Sequence, residues 1–456
     1  MTINKRPVLT AACAATLLLA GCASGLQQQP SATLPATAEA PPQAVDCPKE
    51  VPADTRCLGG RDSAGAYYLV AMPAQWNGTL VLHAHGGPTL GAPQMARSIA
   101  DLQRWSIVPK AGYAWAGSTF RQGGVAVRAA AQDTERLRRI FVQHVAQPRM
   151  TILHGQSWGA NVAAVGASMF TDDGNGKRPY DAVLLTSGLV SGGSRGYDFR
   201  LDLRVIYQAL CKNHPRPDET QYPLWMGLPQ GATLTQAELR GRVNQCLGLD
   251  KPAAQRTPEQ QRKVQTIVDV VKIPAASIAS HLAWGTFHFQ DIAFQRAGGR
   301  SVFGNMGARY RGSPDDDALN AAVARYAADP QARAAFAADT DPDGRIPVPV
   351  LTVHGIGDPT VFVEVEDSFR RTMEAAGNGA RLVQTFTTDS SHSYLSDPVY
   401  PTLLAALSAW ARGGAKPTPT QIAQQCEAMQ ARFGPGCRFQ PDYRPRPLAT
   451  RVTPRD

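Results

Sequence analysis

Four short groups of residues in this sequence could do chemistry together. Gly155-Gln156-Ser157-Trp158-Gly159 sets a serine between two glycines, directly after the apolar run Met150 to His154 and before small residues at helical spacing. A serine on so tight a strand-to-helix turn stands above the sheet edge. Side chains beside it must be absent, which is the work of Gly155 and Gly159 in such a nucleophile elbow. The helix then starts beside the hydroxyl, so its dipole and the N–H of Trp158 face any charge that develops on a substrate oxygen. Upstream, Thr79 to His83 leads into His83-Ala84-His85-Gly86-Gly87-Pro88. A His-Gly-Gly loop there can turn a second N–H, that of Gly87, toward the same oxyanion. Neither His83 nor His85 needs to ionise for this, so both are expected to pack or brace.

The two partners of such a serine follow it along the chain, acid first and histidine second. The histidines are 83, 85, 144, 154, 214, 281, 288, 354 and 392. An acid that ends a late strand is supplied by Pro349-Val350-Leu351-Thr352-Val353-His354-Gly355-Ile356-Gly357-Asp358, and only His392 lies beyond it. His354 precedes the acid and is expected to brace the turn. Asp389 and Glu364 are the rival acids, but neither follows a strand so directly. The set Ser157, His392 and Asp358 would perform acyl transfer. The serine attacks a carbonyl carbon, the histidine takes its proton, and the acid fixes the imidazole tautomer. Gly87 and Trp158 would each contribute about 3 kcal/mol as oxyanion donors. That chemistry needs no metal and no cofactor.

Elements must position these groups. Tyr67 to Met72 and Thr79 to His83, separated by Asn77-Gly78, are expected to form a hairpin. Tyr113 to Ser118, Met150 to His154, Asp181 to Thr186 and Val348 to His354 are apolar runs that alternate with helical patterns, among them Gln132 to Val145 and Ala160 to Phe170. Alternation of this kind predicts a mostly parallel sheet with helices on both faces. It breaks between about Gly192 and Arg345, where helical patches, prolines and the aromatics Trp284, Phe287 and Phe289 predict an inserted, mainly helical cap. The expected organisation is a signal segment over 1–21, a flexible tether over 22–45, and a core in two parts, 46–192 and 346–412. The cap occupies 193–345, and an irregular tail pinned by cysteines occupies 413–456.

With these residues in place, the chain resembles an α/β-hydrolase-fold serine hydrolase over about residues 65–192 and 346–412. His85-Gly86-Gly87-Pro88 together with Gly155-Gln156-Ser157-Trp158-Gly159 is similar to the prolyl-aminopeptidase branch, which also carries a cap. Thr89 and Gln156 stand where that branch usually has glycine. The resemblance implies a small-molecule ester or a peptide as substrate. A carboxylic ester hydrolase is the first expectation. An aminopeptidase or amidase is the second, and it would need cap carboxylates for a free amine, for which Glu219, Glu238 and Glu259 are the only glutamates, beside many aspartates. A non-catalytic binding lipoprotein on the same fold is the third.

Composition bounds the rest. Of 456 residues, 43% are hydrophobic and 18% charged, and Gly plus Pro amount to about one residue in six, too few for a disordered chain. The net charge of +9 rests on 37 arginines against 9 lysines without a dense basic block, which excludes a nucleic-acid footprint. Lys5 and Arg6 precede an apolar stretch of 13 residues, Val8 to Ala20. That is shorter than the roughly 20 residues of a membrane span and suited to an export signal. It ends in Leu19-Ala20-Gly21-Cys22, which resembles the lipobox of bacterial lipoproteins. The resemblance implies acylation of Cys22 and an outer-membrane anchor, with the protein facing the periplasm or the cell surface. Besides Cys13 and Cys22, six cysteines remain: Cys47, Cys57, Cys211, Cys246, Cys426 and Cys437. An oxidising compartment predicts disulfides among them. Fifteen pairings are open; joining nearest neighbours would contribute roughly 3, 4 and 3 kcal/mol of chain entropy. Asp339, Asp341 and Asp343 have the spacing of a calcium-loop start, but Val350 stands where the bidentate Glu belongs, and a polar turn is the alternative.

Overall fold

The apolar runs become strands of one sheet. The computed structural model of the protein describes residues 1–2, 32, 34–35 and 37–455. Among these, nine strands pair side by side: β1 (Gln43–Val45), β2 (Arg56–Arg61), β3 (Tyr67–Met72), β4 (Thr79–Ala84), β5 (Ala114–Ser118), β6 (Met150–Gln156), β7 (Ala182–Thr186), β8 (Val350–Gly355) and β9 (Leu382–Thr387). Their order across the sheet is β1-β2-β3-β5-β4-β6-β7-β8-β9. From β5 to β9 every pairing is parallel, while β1, β2 and β3 form an antiparallel edge.

Strands β4, β6, β7 and β8 are buried along their whole length, as expected of a parallel sheet covered on both faces. Alternate residues feed opposite cores. Leu80, Leu82, Leu153 and Leu185 pack on one face, and Val81, Ile152, Leu184 and Leu351 on the other.

The hairpin expected from Asn77-Gly78 does not form. Strand β5 lies between β3 and β4, antiparallel to the first and parallel to the second. The turn itself is real, since the Thr79 N–H donates to the Asn77 side chain. However, the connection from Met72 to Thr79 is too long for a two-residue turn and carries β4 past a neighbour. The hairpin that does form joins β2 to β3, closed by the Asp62 carboxylate, which accepts the N–H groups of Ala64 and Ala66. Two glycines within β2 hid it from a propensity-based reading.

Within the segment expected to be a flexible tether, several of the described residues are docked on the body. Leu34 is buried in the core, the Ala32 N–H donates to the Met169 carbonyl, Glu39 pairs with Arg136, and Gln43–Val45 forms β1. Cys22 and the segment before it that is expected to direct export lie outside the described residues, apart from residues 1–2.

Between β7 and β8 the chain is helical, with long helices at Asp198–Cys211, Gln236–Leu247, Pro258–Val271, Ile278–Asp291 and Pro330–Thr340. This cap has no separate core. One apolar cluster runs from Leu185 and Val190 at the sheet through Phe199 and Leu203 to Phe289 and Phe336.

The two crossings between sheet and cap lie side by side. Gly193 N–H donates to the Thr340 hydroxyl, and the Asp341 carboxylate accepts both the N–H and the hydroxyl of Ser194. Asp339 accepts the N–H groups of Val127 and Arg128, capping the helix Val127–His144 from a distance, and Asp343 pairs with Arg345. The three carboxylates of the supposed calcium loop thus serve three separate partners. That long-range cap also starts the helix five residues before the expected Gln132.

The six cysteines are joined as nearest neighbours: Cys47–Cys57, Cys211–Cys246 and Cys426–Cys437. The tail is less irregular than expected. Thr418 and Gln421 form a capping box with Pro419 at the first turn, and they open a helix over Pro419–Phe433. Beyond it, Phe439 bridges to Thr387 at the outer edge of β9. Further on, Arg455 makes an ion pair of 2.7 Å with Asp202 in the cap.

Candidate active site

Parallel register brings the candidate residues to one end of the sheet. Strand β4 pairs with β6 so that His83 faces His154 and Ala84 faces Gly155. The His-Gly-Gly loop therefore lies beside the elbow. Strands β8 and β9 run parallel, with Gly355 opposite Thr387, so the loops bearing Asp358 and His392 leave the same edge. Gly357 N–H donating to the Asp389 carbonyl ties those loops together.

The elbow is tight enough to require its glycines. A Cβ on Gly159 would lie 2.0 Å from the Ala84 carbonyl oxygen, and one on Gly155 2.2 Å from the Gly159 carbonyl oxygen. Ser157 itself has φ +57°, a strained conformation for a residue with a side chain. Its hydroxyl lies 2.8 Å from Nε2 of His392, and Nδ1 of His392 lies 2.7 Å from Oδ2 of Asp358. Oδ1 of Asp358 accepts the N–H groups of Thr360 and Val361. The structure thus brings Ser157, His392 and Asp358 into one hydrogen-bonded chain. Asp389 pairs instead with Arg438 at 2.6 Å.

Behind Asp358 stands a second histidine. Buried His354 donates from Nε2 to the Val361 carbonyl at 2.9 Å, and it places that nitrogen 3.5 Å from Oδ2 of Asp358. Its Nδ1 lies 3.3 Å from Glu366, whose carboxylate also accepts from Thr352 and Gln384. Burial opposes a charge on His354, but the carboxylates of Asp358 and Glu366 outweigh it and push its pKa up to about 10. Burial likewise works to raise the Asp358 carboxyl. Hydrogen bonds from His354 and His392 prevail and hold it below the usual carboxylate range. His354 does brace the turn, as expected from the sequence, and it does so as a cation between two acids.

This has a measurable consequence. Unfolded, a histidine loses its proton near pH 6.5, whereas folded His354 keeps it to about pH 10. Its contribution to stability is complete below about pH 6.5 and is lost as pH rises through about 10. Thermal unfolding should show Tm falling across that window. His354→Gln should cost about 3–5 kcal/mol at pH 6.5 and flatten the fall. A variant whose Tm declines as steeply as the wild type would remove His354 as the cause.

The remaining histidines near the site stay neutral. His83 and His154 place their Nδ1 atoms 3.0 Å apart against Trp105, and burial lowers both, His154 to about 3. His85 stacks on Phe120, and burial together with Arg97 lowers it to about 3. Two cap histidines on one face of the helix Ile278–Asp291 dock it over the site. His281 bonds the Pro359 carbonyl beside the acid, and His288 the Pro88 carbonyl beside the His-Gly-Gly loop.

A cavity of about 270 Å³ opens on Ser157. Gly87, Trp158, Leu189, Tyr197 and Trp284 line it, with His392 at the hydroxyl. Of the aromatics suggested as walls, Trp284 serves. Phe289 is core, stacked on Phe303, and Phe287 faces a separate groove on the cap.

Three polar residues of the cavity were not anticipated. Arg97 donates to the Gly86 carbonyl and contacts Nδ1 of His85, while its other side pairs with Asp101 at 3.0 Å. Gln156 donates to the Ser393 hydroxyl at 2.6 Å and fills the space a side chain on Gly86 would need. Arg200 is buried among three aromatic rings. Gln156 and Arg200 meet partners far along the chain, Ser393 and Trp284, and Arg97 is placed by the fold of the His-Gly-Gly loop.

The strand order, the serine elbow after β6, and the acid and histidine at the ends of β8 and β9 define an α/β-hydrolase fold. No protein-family model and no curated protein sequence matches the chain. Among solved structures it is similar to feruloyl esterase B from Aspergillus oryzae, at 12% identity over 83% of this chain and 87% of that one, with a TM-score of 0.44. It is also similar to an esterase from Aspergillus oryzae, at 13% identity over 85% of this chain and 88% of that one, TM-score 0.46. A third is the rice cell wall degrading esterase LipA from Xanthomonas oryzae, at 14% identity over 74% of this chain and 83% of that one, TM-score 0.35.

Proposed function

We propose that the protein is a serine hydrolase that cleaves a carboxylic ester through an acyl-enzyme. The observation that carries this is the chain from Ser157 Oγ to His392 Nε2 at 2.8 Å and from His392 Nδ1 to Asp358 Oδ2 at 2.7 Å, at the floor of a cavity. In this mechanism Ser157 Oγ attacks the ester carbonyl carbon and its proton passes to His392 Nε2. The tetrahedral oxyanion rests on the N–H groups of Gly87 and Trp158. The alcohol then leaves with the proton from His392, and water, activated by the same histidine, releases the acid.

Arg97 acts as a positioning residue in this scheme. The carbonyl of Gly86 and the N–H of Gly87 belong to one planar trans peptide and point in opposite directions. By holding the carbonyl, Arg97 fixes the direction of the donor. Arg97→Gln should lower kcat on 4-nitrophenyl butyrate about tenfold or more with KM little changed. A change confined to KM would show that Arg97 binds substrate instead.

The aminopeptidase alternative has less support. Glu219 pairs with Arg242, Glu238 caps its own helix at Thr235, and Glu259 pairs with Lys263, so none of the three is offered to a substrate amine. The proposal includes export and lipid anchoring at Cys22, supported by the signal-like sequence and by three disulfides, which persist in oxidising compartments.

The test is direct. Protein lacking residues 1–22 is incubated with a fluorophosphonate probe, short 4-nitrophenyl esters, and prolyl and alanyl naphthylamides. Labelling at Ser157 with ester turnover supports the proposal. Amide turnover alone would favour the peptidase, and neither labelling nor turnover would favour a binding protein.

A further inference from the structure

The Ser157 cavity contains an arginine with no acidic partner. Arg200, at 4% exposure, lines the cavity with Tyr197 and Trp284. Its guanidinium carbon lies 4.5 Å from the ring centroids of Trp284 and Phe199 and 5.3 Å from that of Tyr197. Its only protein hydrogen bond among the described residues is a 3.2 Å contact to the Gly196 carbonyl, and its Nε has no partner. Burial lowers its pKa to about 10, and the one opposing influence is the Tyr197 phenol. The side chain therefore remains a cation at neutral pH.

The rest of the cavity has the same sign. Arg97 and exposed Arg104 also line it, while no Asp or Glu does. Arg97 is already paired with Asp101. Arg455 has Asp202 and Arg138 has Glu135, while buried Arg204, which does not line the cavity, is held by His214 and Thr286 instead of an acid. A buried guanidinium is costly unless it is paired, and its planar fork suits a carboxylate. The aromatic rings fix the plane of that fork and leave its charge unneutralised.

We infer that the ester cleaved at Ser157 carries a carboxylate elsewhere in the molecule, and that Arg200 is the residue that selects it. Arg104 at the exposed edge of the cavity attracts the anion, and Arg200 holds it between the rings while the ester carbonyl reaches Ser157. This rests on the hydrolase proposal above for the chemistry, but not for the binding.

Two matched pairs of esters test it. Mono-4-nitrophenyl glutarate against 4-nitrophenyl valerate places the carboxylate on the acyl arm, and 4-acetoxybenzoate against phenyl acetate places it on the alcohol arm. In at least one pair, kcat/KM should favour the anion about tenfold or more, and Arg200→Met should lower that ratio at least tenfold. Arg200→Lys, which keeps the charge and loses the fork, should lower it less, and it serves as the variant of record if Arg200→Met does not fold. No preference for the anion in either pair, or equal losses on both members of a pair in the variants, would overturn the inference. In parallel, glutarate and benzoate are titrated calorimetrically into Ser157→Ala protein with and without the Arg200 substitution. Binding that depends on Arg200 supports the inference even if no ester is turned over, in which case the hydrolase proposal alone fails. Absence of binding together with absence of turnover overturns both.

Discussion

Asp358→Asn should leave a folded protein whose kcat on an ester at pH 7 is lower by about 10⁴. The size follows from which oxygen does what. Oδ1 accepts two backbone N–H groups, from Thr360 and Val361, and only an oxygen can take that place. The amide nitrogen of an asparagine is therefore forced into the position of Oδ2, facing Nδ1 of His392. A donor there obliges Nδ1 to accept, which puts the imidazole proton on Nε2, against the Ser157 hydroxyl. In that tautomer His392 cannot take the proton of the serine. The same nitrogen also faces His354, which loses one of the two charges that keep it protonated, so the variant should lose part of the alkaline stability slope as well. Steady-state kinetics on 4-nitrophenyl butyrate and a melting curve check both points. A loss of kcat below about tenfold would mean that another acid orients His392.

Ser157→Ala should remove about 10⁵ to 10⁶ of kcat, and adding Asp358→Asn should remove little more, since the three groups act as a unit. What remains is the work of the oxyanion donors and of substrate binding. A second substitution separates chemistry from architecture. Ser157 is held at φ +57°, where glycine sits without strain. Ser157→Gly should therefore be equally inactive yet more stable than the wild type by about 1 kcal/mol. The wild-type protein would then be giving up stability to present a hydroxyl. Comparable turnover by the alanine variant and the wild type would remove Ser157 as nucleophile.

The parts of this fold that could be read in advance are those with local causes. Fully buried parallel strands must be continuous apolar runs, and β5, β6, β7 and β8 were recognisable on that ground. The order of serine, acid and histidine could be read because only His392 follows Asp358. Parallel register then did the rest by bringing three strand ends together. What escaped notice has long-range causes. Strand β2 holds two glycines and is a strand because β3 and β1 pair with it. The helix Val127–His144 begins where Asp339, more than two hundred residues away, caps it. Arg200 and Glu366 are ordinary charged residues until folding buries them near the site, as is Arg97 until folding sets it against the His-Gly-Gly loop. The tail helix is a different case, since Thr418-Pro419-Thr420-Gln421 is a local start signal set among prolines and arginines that by themselves favour irregular chain.

The ion pair between Arg455 and Asp202 bears on how the cap is held. The cap leaves and rejoins the sheet at adjacent points, where Ser194 meets Asp341. A body attached only there would swing about that line like a door. The segment that carries Arg455 follows the one that bridges to β9, and it fastens the first long helix of the cap at Asp202. His281 and His288 also hold the cap to the loops at Pro359 and Pro88, and one apolar cluster joins it to the sheet. Lifting such a cap would expose apolar core as well as break polar contacts.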